Sequence, residues 1–141
     1  MTASGVKPIE RLVLDTSAYS HLRVGHAHVL DIVANAAAVF VPVIVIGELE
    51  AAFELGSRSN VNRAALAEFL AEPFVSQLEV NHAVARRYGE VFAGLRRAGT
   101  PIPVNDIWIA ALTTTHGGHL LTFDPDFSGV DSLVSTILSP I

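Results

Sequence analysis

The chain has no cysteine in its 141 residues, which excludes disulfides and thiolate metal centres and fits a reducing compartment. Its one lysine, Lys7, lies ahead of the first apolar segment, and no Gly-x-x-x-x-Gly-Lys run is present; a P-loop is therefore excluded. No Gly-x-Ser-x-Gly turn occurs either, which argues against a hydrolase built on a nucleophile elbow. The longest apolar run, Ala36 to Gly47, is 12 residues and contains Pro42, well short of the roughly 20 residues that cross a bilayer. Residues 1–10 lack the apolar core of a signal peptide, and the expectation is a soluble, cytoplasmic protein with no membrane association. Charge is scarce as well: charged residues make up 16% of the chain and leave a net charge of −5. That balance offers no global attraction for a polyanion, so any nucleic-acid chemistry needs a bound cation or locally placed arginines.

What the chain does have is apolar residues, 50% of the total, in segments that alternate between two periods. A chain near this length buries roughly 68–70% of its unfolded surface, which fits one domain over residues 1–141 with residues 1–10 as a short lead. Short apolar runs at Leu12 to Leu14, Val39 to Val41, Phe74 to Val80, Leu120 to Phe123 and Leu133 to Leu138 read as strands. Helical spacing fills the intervals: Ser17 to Arg23, His26 to Ala37, Val43 to Leu55, Asn62 to Ala71, His82 to Ala98 and a helix from Pro103 or Asn105 to about His116. Asn81 is placed to cap the long fifth helix. On the second helix Val29, Leu30, Val33 and Ala34 form the expected apolar stripe; on the third the stripe is Ile44, Val45, Glu48, Ala51, Ala52 and Leu55. Strands alternating with helices predict a three-layer α/β/α sandwich around a mostly parallel sheet of about five strands.

Against so apolar a background four acids stand out. Asp15 and Asp124 each end an apolar strand, and each has an ordinary reading as a helix cap or turn residue. Glu48 lies in the expected apolar stripe of its helix, where a carboxylate must be neutral, paired with an arginine or bound to a cation, because an unpaired buried charge costs several kcal/mol. Asp106 has Ile102, Ile109 and Ala110 as helical neighbours, and it also suits a first helical turn, where the helix dipole favours an acid by about 0.3–1 kcal/mol. The expectation is that all four converge: parallel α/β folds bring the carboxyl ends of their strands to one edge, which makes this geometrically easy for Asp15 and Asp124. Two carboxylates about 4 Å apart repel by roughly 4 kcal/mol at an effective dielectric near 20; four together require protonation or a cation between them. With oxygen donors and no cysteine, that cation is Mg²⁺ or Mn²⁺, and an acidic Mg²⁺ site suits phosphate chemistry.

Other constellations fit less well. His26 and His28 point to different sides of a helix, and His116 and His119 bracket a Gly-Gly turn; all four are read as surface histidines. A phospho-acceptor receiver domain shares the fold class but wants a lysine after its last strand. A haloacid-dehalogenase-type phosphatase wants Asp-x-Asp after the first strand, where this chain has Asp15-Thr16-Ser17.

The runs Leu14-Asp15-Thr16-Ser17-Ala18, Gly47-Glu48-Leu49, Ile102-Pro103-Val104-Asn105-Asp106-Ile107-Trp108-Ile109-Ala110-Ala111 and Leu121-Thr122-Phe123-Asp124 resemble, in that order, the PIN domain and more narrowly the VapC toxins of toxin–antitoxin pairs. The likeness covers nearly the whole chain after the first ten residues, and the Pro103 to Ala111 run is its most specific part. The resemblance implies a metal-dependent endoribonuclease in which Asp15, Glu48, Asp106 and Asp124 hold one or two Mg²⁺ or Mn²⁺ ions and cleavage leaves 5′-phosphate and 3′-hydroxyl ends. It gives Thr16 and Ser17 an organising role, Asn105 and Thr122 a supporting one, and Asp126 an auxiliary one beside its reading as a turn acid. It further implies an RNA substrate, a small VapB-like antitoxin partner and a homodimer; the apolar residues of Val29 to Ala38 and of the Asn62 to Ala71 helix read equally as surfaces for such partners or as core. Phe123 and Pro125 depart from the family, whose members commonly carry polar or basic residues there. RNA affinity then falls to the metals and to some of Arg58, Arg63, Arg86, Arg87, Arg96 and Arg97. Two other readings are a catalytically silent PIN-like binding module and a housekeeping PIN nuclease outside any toxin–antitoxin pair.

Overall fold

The computed structural model describes residues 7–140. Five strands, β1 (Arg11–Leu14), β2 (Ala38–Pro42), β3 (Val75–Leu78), β4 (His119–Thr122) and β5 (Ser135–Ile137), form one sheet in the order β3-β2-β1-β4-β5, with every adjacent pair parallel. Parallel pairing needs crossovers, supplied here by helices α1 (Thr16–Arg23), α2 (Ala27–Asn35), α3 (Val43–Leu55), α4 (Ser59–Leu70), α5 (His82–Ala98) and α6 (Val104–Thr115), with a short 3₁₀ turn at Pro125–Gly129. Helices α1 to α4 lie in the connections running outward from β1 to β3, and α5 and α6 in the return past β1 to β4. Right-handed crossovers lay these two groups on opposite faces: α1 packs on α2 and α3, α3 on α4, and α5 along α6. This is the expected α/β/α sandwich.

The central strands are apolar on both faces because both are covered. Leu12, Val13, Leu14, Leu120 and Leu121 are wholly buried. The chain builds the sheet to one side of β1, then returns to the other, so the direction of winding reverses between β1 and β4. That is where open α/β sheets leave a crevice at the carboxyl ends of their strands. The close approach of the two strands depends on Gly118, where a Cβ would stand 2.6 Å from Val13 Cγ2.

Some elements follow their local signals closely. The Asn81 side chain accepts the Val84 N–H at 3.0 Å, and Gly99 closes α5 in the left-handed region at φ 73°. Others differ. The core face of α3 is Val45, Leu49 and Phe53, whereas Ala51 and Ala52 are exposed and Leu55 is 91% exposed; Glu48 is half-buried beside that face. The helix is apolar around most of its circumference, so periodicity alone could not choose its buried side. On α2, Val29 and Val33 are buried, but Leu30 is 46% exposed and Ala34 is exposed. Strand β4 ends at Thr122, because the Phe123 N–H turns to Ser17 Oγ instead of continuing the ladder. Helix α6 begins after Pro103 with no side-chain cap, so neither Pro103 as its first residue nor Asn105 as its cap is observed. Of the N-terminal lead, residues 1–6 lie outside the described residues; the Ile9 and Glu10 carbonyls already accept from Ala37 and Ala38, and Ile9 packs on the core. Among the described residues, no helix is long and apolar enough to cross a membrane.

Candidate active site

Asp15 leaves β1 and caps α1. Its Oδ1 accepts the Ala18 N–H at 2.8 Å and the Ser17 hydroxyl at 2.7 Å, and its Oδ2 accepts the Thr122 hydroxyl. Both hydroxyls also accept: Ser17 Oγ takes the Phe123 N–H and Thr122 Oγ1 takes the Asp124 N–H, each at 3.0 Å. Each therefore ties the Asp15 carboxylate to the backbone that leaves β4. Burial pushes the Asp15 carboxyl above the usual range, the bonds from Thr122, Ala18 and Ser17 draw it back, and the Asp124 charge pushes it up again.

Helix α3 meets α6 at the same edge. There Glu48 Oε1 accepts the Thr16 hydroxyl at 2.6 Å, and Oε2 lies 3.5 Å from Asn105 Nδ2, a long bond. Asp106, in the first turn of α6, is half-buried. Burial raises its carboxyl, and Asp124, Glu48, Asp15 and Asp126 in turn raise it further, to about 6. Five carboxyls thus share one field. The ion pairs among the described residues, Arg63 with Glu50 and Glu54 and Arg87 with Glu90, include none of the five. Glu48 is accordingly held by neutral donors, and its reading as an arginine-paired acid is not observed. Asp124 keeps its turn role, its Oδ1 accepting the Asp126 N–H at 2.9 Å, while Asp126 itself is exposed.

Among the described residues, no three His, Asp or Glu side chains are gathered into a ready-made metal cluster. The donor set is nevertheless all oxygen, strongly negative and unaccompanied by a protein cation. It fits a hydrated hard ion that takes one or two carboxylates and keeps several waters, the habit of Mg²⁺. It does not fit a closed cage for a soft metal.

Some of the surroundings run against expectation. Of the four histidines taken as surface residues only His28 is exposed; His26, His116 and His119 are half-buried, and His119 Nε2 lies 2.7 Å from Thr136 Oγ1. Phe123, beside Asp124, is stacked on His21 with ring centroids 3.7 Å apart and planes at 16°, and His26 meets it edge-on at 5.1 Å. His21 was not among the expected site residues; its only local signal is its place one turn after Ser17. Of the arginines, Arg63 and Arg87 are engaged by glutamates and Arg96 lies over the Phe92 ring, whereas Arg58, Arg86 and Arg97 are exposed.

A family model described as PIN domain matches residues 12–133. The chain is similar to Ribonuclease VapC4 of Mycobacterium tuberculosis, with 29% identity over 90 residues that cover 64% of this chain and 69% of that protein. Its fold superposes on VapBC2 from Rickettsia felis bound to a DNA fragment from their promoter, with a TM-score of 0.81 over 92% of this chain and 99% of that one at 18% identity. It also superposes on VapBC-5 from Mycobacterium tuberculosis, a member of the VapBC family of toxin–antitoxin systems, with a TM-score of 0.70 over 92% and 98% of the two chains at 26% identity.

Proposed function

The chain belongs to the PIN domain family, and on that premise we propose that it is a VapC-like endoribonuclease, the toxin of a toxin–antitoxin pair. The observation that carries this reading is the gathering of Asp15, Glu48, Asp106 and Asp124 at one edge of the sheet, with none of them in an ion pair among the described residues. Such a field is destabilising in a protein that has no use for it, and a divalent cation relieves it. We assign Asp15, Glu48, Asp106 and Asp124 to hold Mg²⁺ or Mn²⁺, with Thr16, Ser17, Asn105 and Thr122 fixing the carboxylates; Asp126 adds charge from the rim. A bound ion supplies the Lewis acidity that activates a water nucleophile and neutralises charge on the phosphoryl oxygens.

The chain's own contribution is position. Thr122 and Ser17 lock the Asp15 carboxylate between β1 and β4, so its oxygens need not reorganise when substrate arrives. Thr16 does the same for Glu48 across the α1–α3 contact. Asp106 would hold the ion as a carboxylate, the form that a coordinating carboxyl must take.

An antitoxin and a second copy of the chain are the proposed partners. A cleft of about 270 Å³, lined by Tyr19, Arg23, Val24, Leu49, Phe53 and Asn62, mixes apolar and polar side chains and is a candidate seat for a peptide segment of the antitoxin. The test is cleavage of a structured RNA in Mg²⁺ or Mn²⁺ by the wild type, Asp15→Asn and Asp106→Asn. The reading expects cutting by the wild type alone; equal cutting by all three, or by none at any ion concentration, refutes it.

A further inference from the structure

We propose that His21, His26 and Phe123 form a stacking subsite for one unpaired base of a single-stranded RNA, next to the acid site; the inference rests on the nuclease reading and adds what anchors its substrate. Phe123 sits between Thr122, which holds Asp15, and Asp124. Its backbone is fixed by the Ser17 hydroxyl and its ring by the stacked imidazole of His21. His26 closes the group edge-on to both rings, 5.1 Å from Phe123 and 5.6 Å from His21, and His28 stands 6.0 Å beyond His26. The first three rings are half-buried and the fourth exposed, so the wall is anchored at its back and open at its front.

Two polar atoms in this wall are uncommitted. His21 Nδ1 lies 2.8 Å from the Ser17 carbonyl; a carbonyl only accepts, so Nδ1 carries the hydrogen and Nε2 of the neutral ring is an acceptor. His26 Nδ1 is buried with no hydrogen-bond partner among the described residues, whereas buried polar atoms are ordinarily satisfied. A base brings a face that stacks and an edge of donors and acceptors; the enclosed His26 Nδ1 meets that edge only when its ring turns outward.

Electrostatics favours an uncharged anchor. The chain carries a net charge of −5, and the five site acids are free of arginine among the described residues. Phosphate contacts alone are therefore adverse away from the metal. Base–aromatic stacking needs no protein cation at the contact and tolerates any base. It also requires an unstacked nucleotide, which confines cutting to single strands and loops.

The experiment uses the full chain with a fluorescein-labelled single-stranded RNA of mixed sequence and its counterparts carrying one abasic nucleotide at successive positions. Anisotropy with EDTA, where no cutting is expected, gives binding, and cleavage in Mg²⁺ gives KM and kcat. One abasic position should weaken wild-type binding about tenfold, within the range for losing a stacked base. Phe123→Leu, which keeps apolar volume without the ring, should weaken binding of intact RNA by the same factor, with no further loss on that abasic RNA and kcat little changed; Phe123→Trp should restore binding. Penalties that multiply, a loss confined to kcat, or unchanged binding by Phe123→Leu overturn the proposal. So does weaker capture of the antitoxin with RNA binding intact, which would turn the wall toward protein. Stacking-dependent binding without cleavage would instead refute the nuclease reading and leave the subsite standing.

Discussion

Asp106→Asn should stabilise the metal-free protein at neutral pH, although it removes a residue assigned to the site. The folded carboxyl titrates at about 6 against an ordinary 3.8. Between those values the native state holds the proton more tightly than the unfolded chain, so stability falls as pH rises from about 4 to about 6. Above 6 the penalty is complete. The difference of about 2 pH units, at 1.36 kcal/mol each, sets a ceiling near 3 kcal/mol. Solvent screening of a half-buried group and the favourable α6 dipole reduce this to about 1–2 kcal/mol. An asparagine carries no charge into the field and should return that amount, raising Tm by about 3–7 °C for a chain of this length. The assay is thermal unfolding with EDTA at pH 7.5 and pH 4. The gain should appear at the higher pH and shrink to a small fraction of that at the lower one, where the folded carboxyl is protonated and the unfolded one is about half so. A less stable Asp106→Asn protein at pH 7.5, or an equal gain at pH 4, would refute the shared field of acids.

Three further outcomes follow from the same geometry. Adding Mg²⁺ at about 100 times its Kd should stabilise the wild type by roughly 2.7 kcal/mol, with most of that lost in Asp15→Asn and Asp106→Asn; an equal gain in all three would move the ion elsewhere. Thr122→Val should cost about 1–3 kcal/mol in urea unfolding, because it strips one donor from buried Asp15 and leaves the Asp124 N–H without its acceptor. Gly118→Ala should cost about 1–3 kcal/mol by forcing a methyl against Val13 Cγ2, measured the same way; a neutral result would show that β1 and β4 separate easily.

Legibility differed from one feature to the next for identifiable reasons. Helix α5 was legible to the residue because its signals are local: a capping asparagine, one amphipathic face and a left-handed glycine. The ends of α3 were equally legible, but its buried face was not, since a helix apolar on most sides gives periodicity nothing to separate. Strand-end acids were visible at Asp15 and Asp124. The double role of Thr122 was not, because it depends on β1 and β4 being neighbours, and strand order is settled by packing between segments more than a hundred residues apart. The same distance hid the stack of Phe123 on His21.

Glu48 shows how a sound principle can rest on a wrong premise. Its expected place in the site was argued from the cost of a charge inside an apolar stripe, yet the stripe of α3 runs through Val45, Leu49 and Phe53, and Glu48 stands at its margin. What brings Glu48 to the other acids is the meeting of α3 with α1 and α6, where Thr16 and Asn105 are its neutral partners. Asp15 makes the complementary point. Its capping role and its assigned metal role do not compete, because the bonds from Ala18, Ser17 and Thr122 occupy three of about four lone-pair sites on an ionised carboxylate. Those bonds fix the direction of what remains. On the proposed reading, a cap that also faces the switch point of the sheet is a preorganised ligand, and the hydroxyls that complete it belong to the proposed site with the acids.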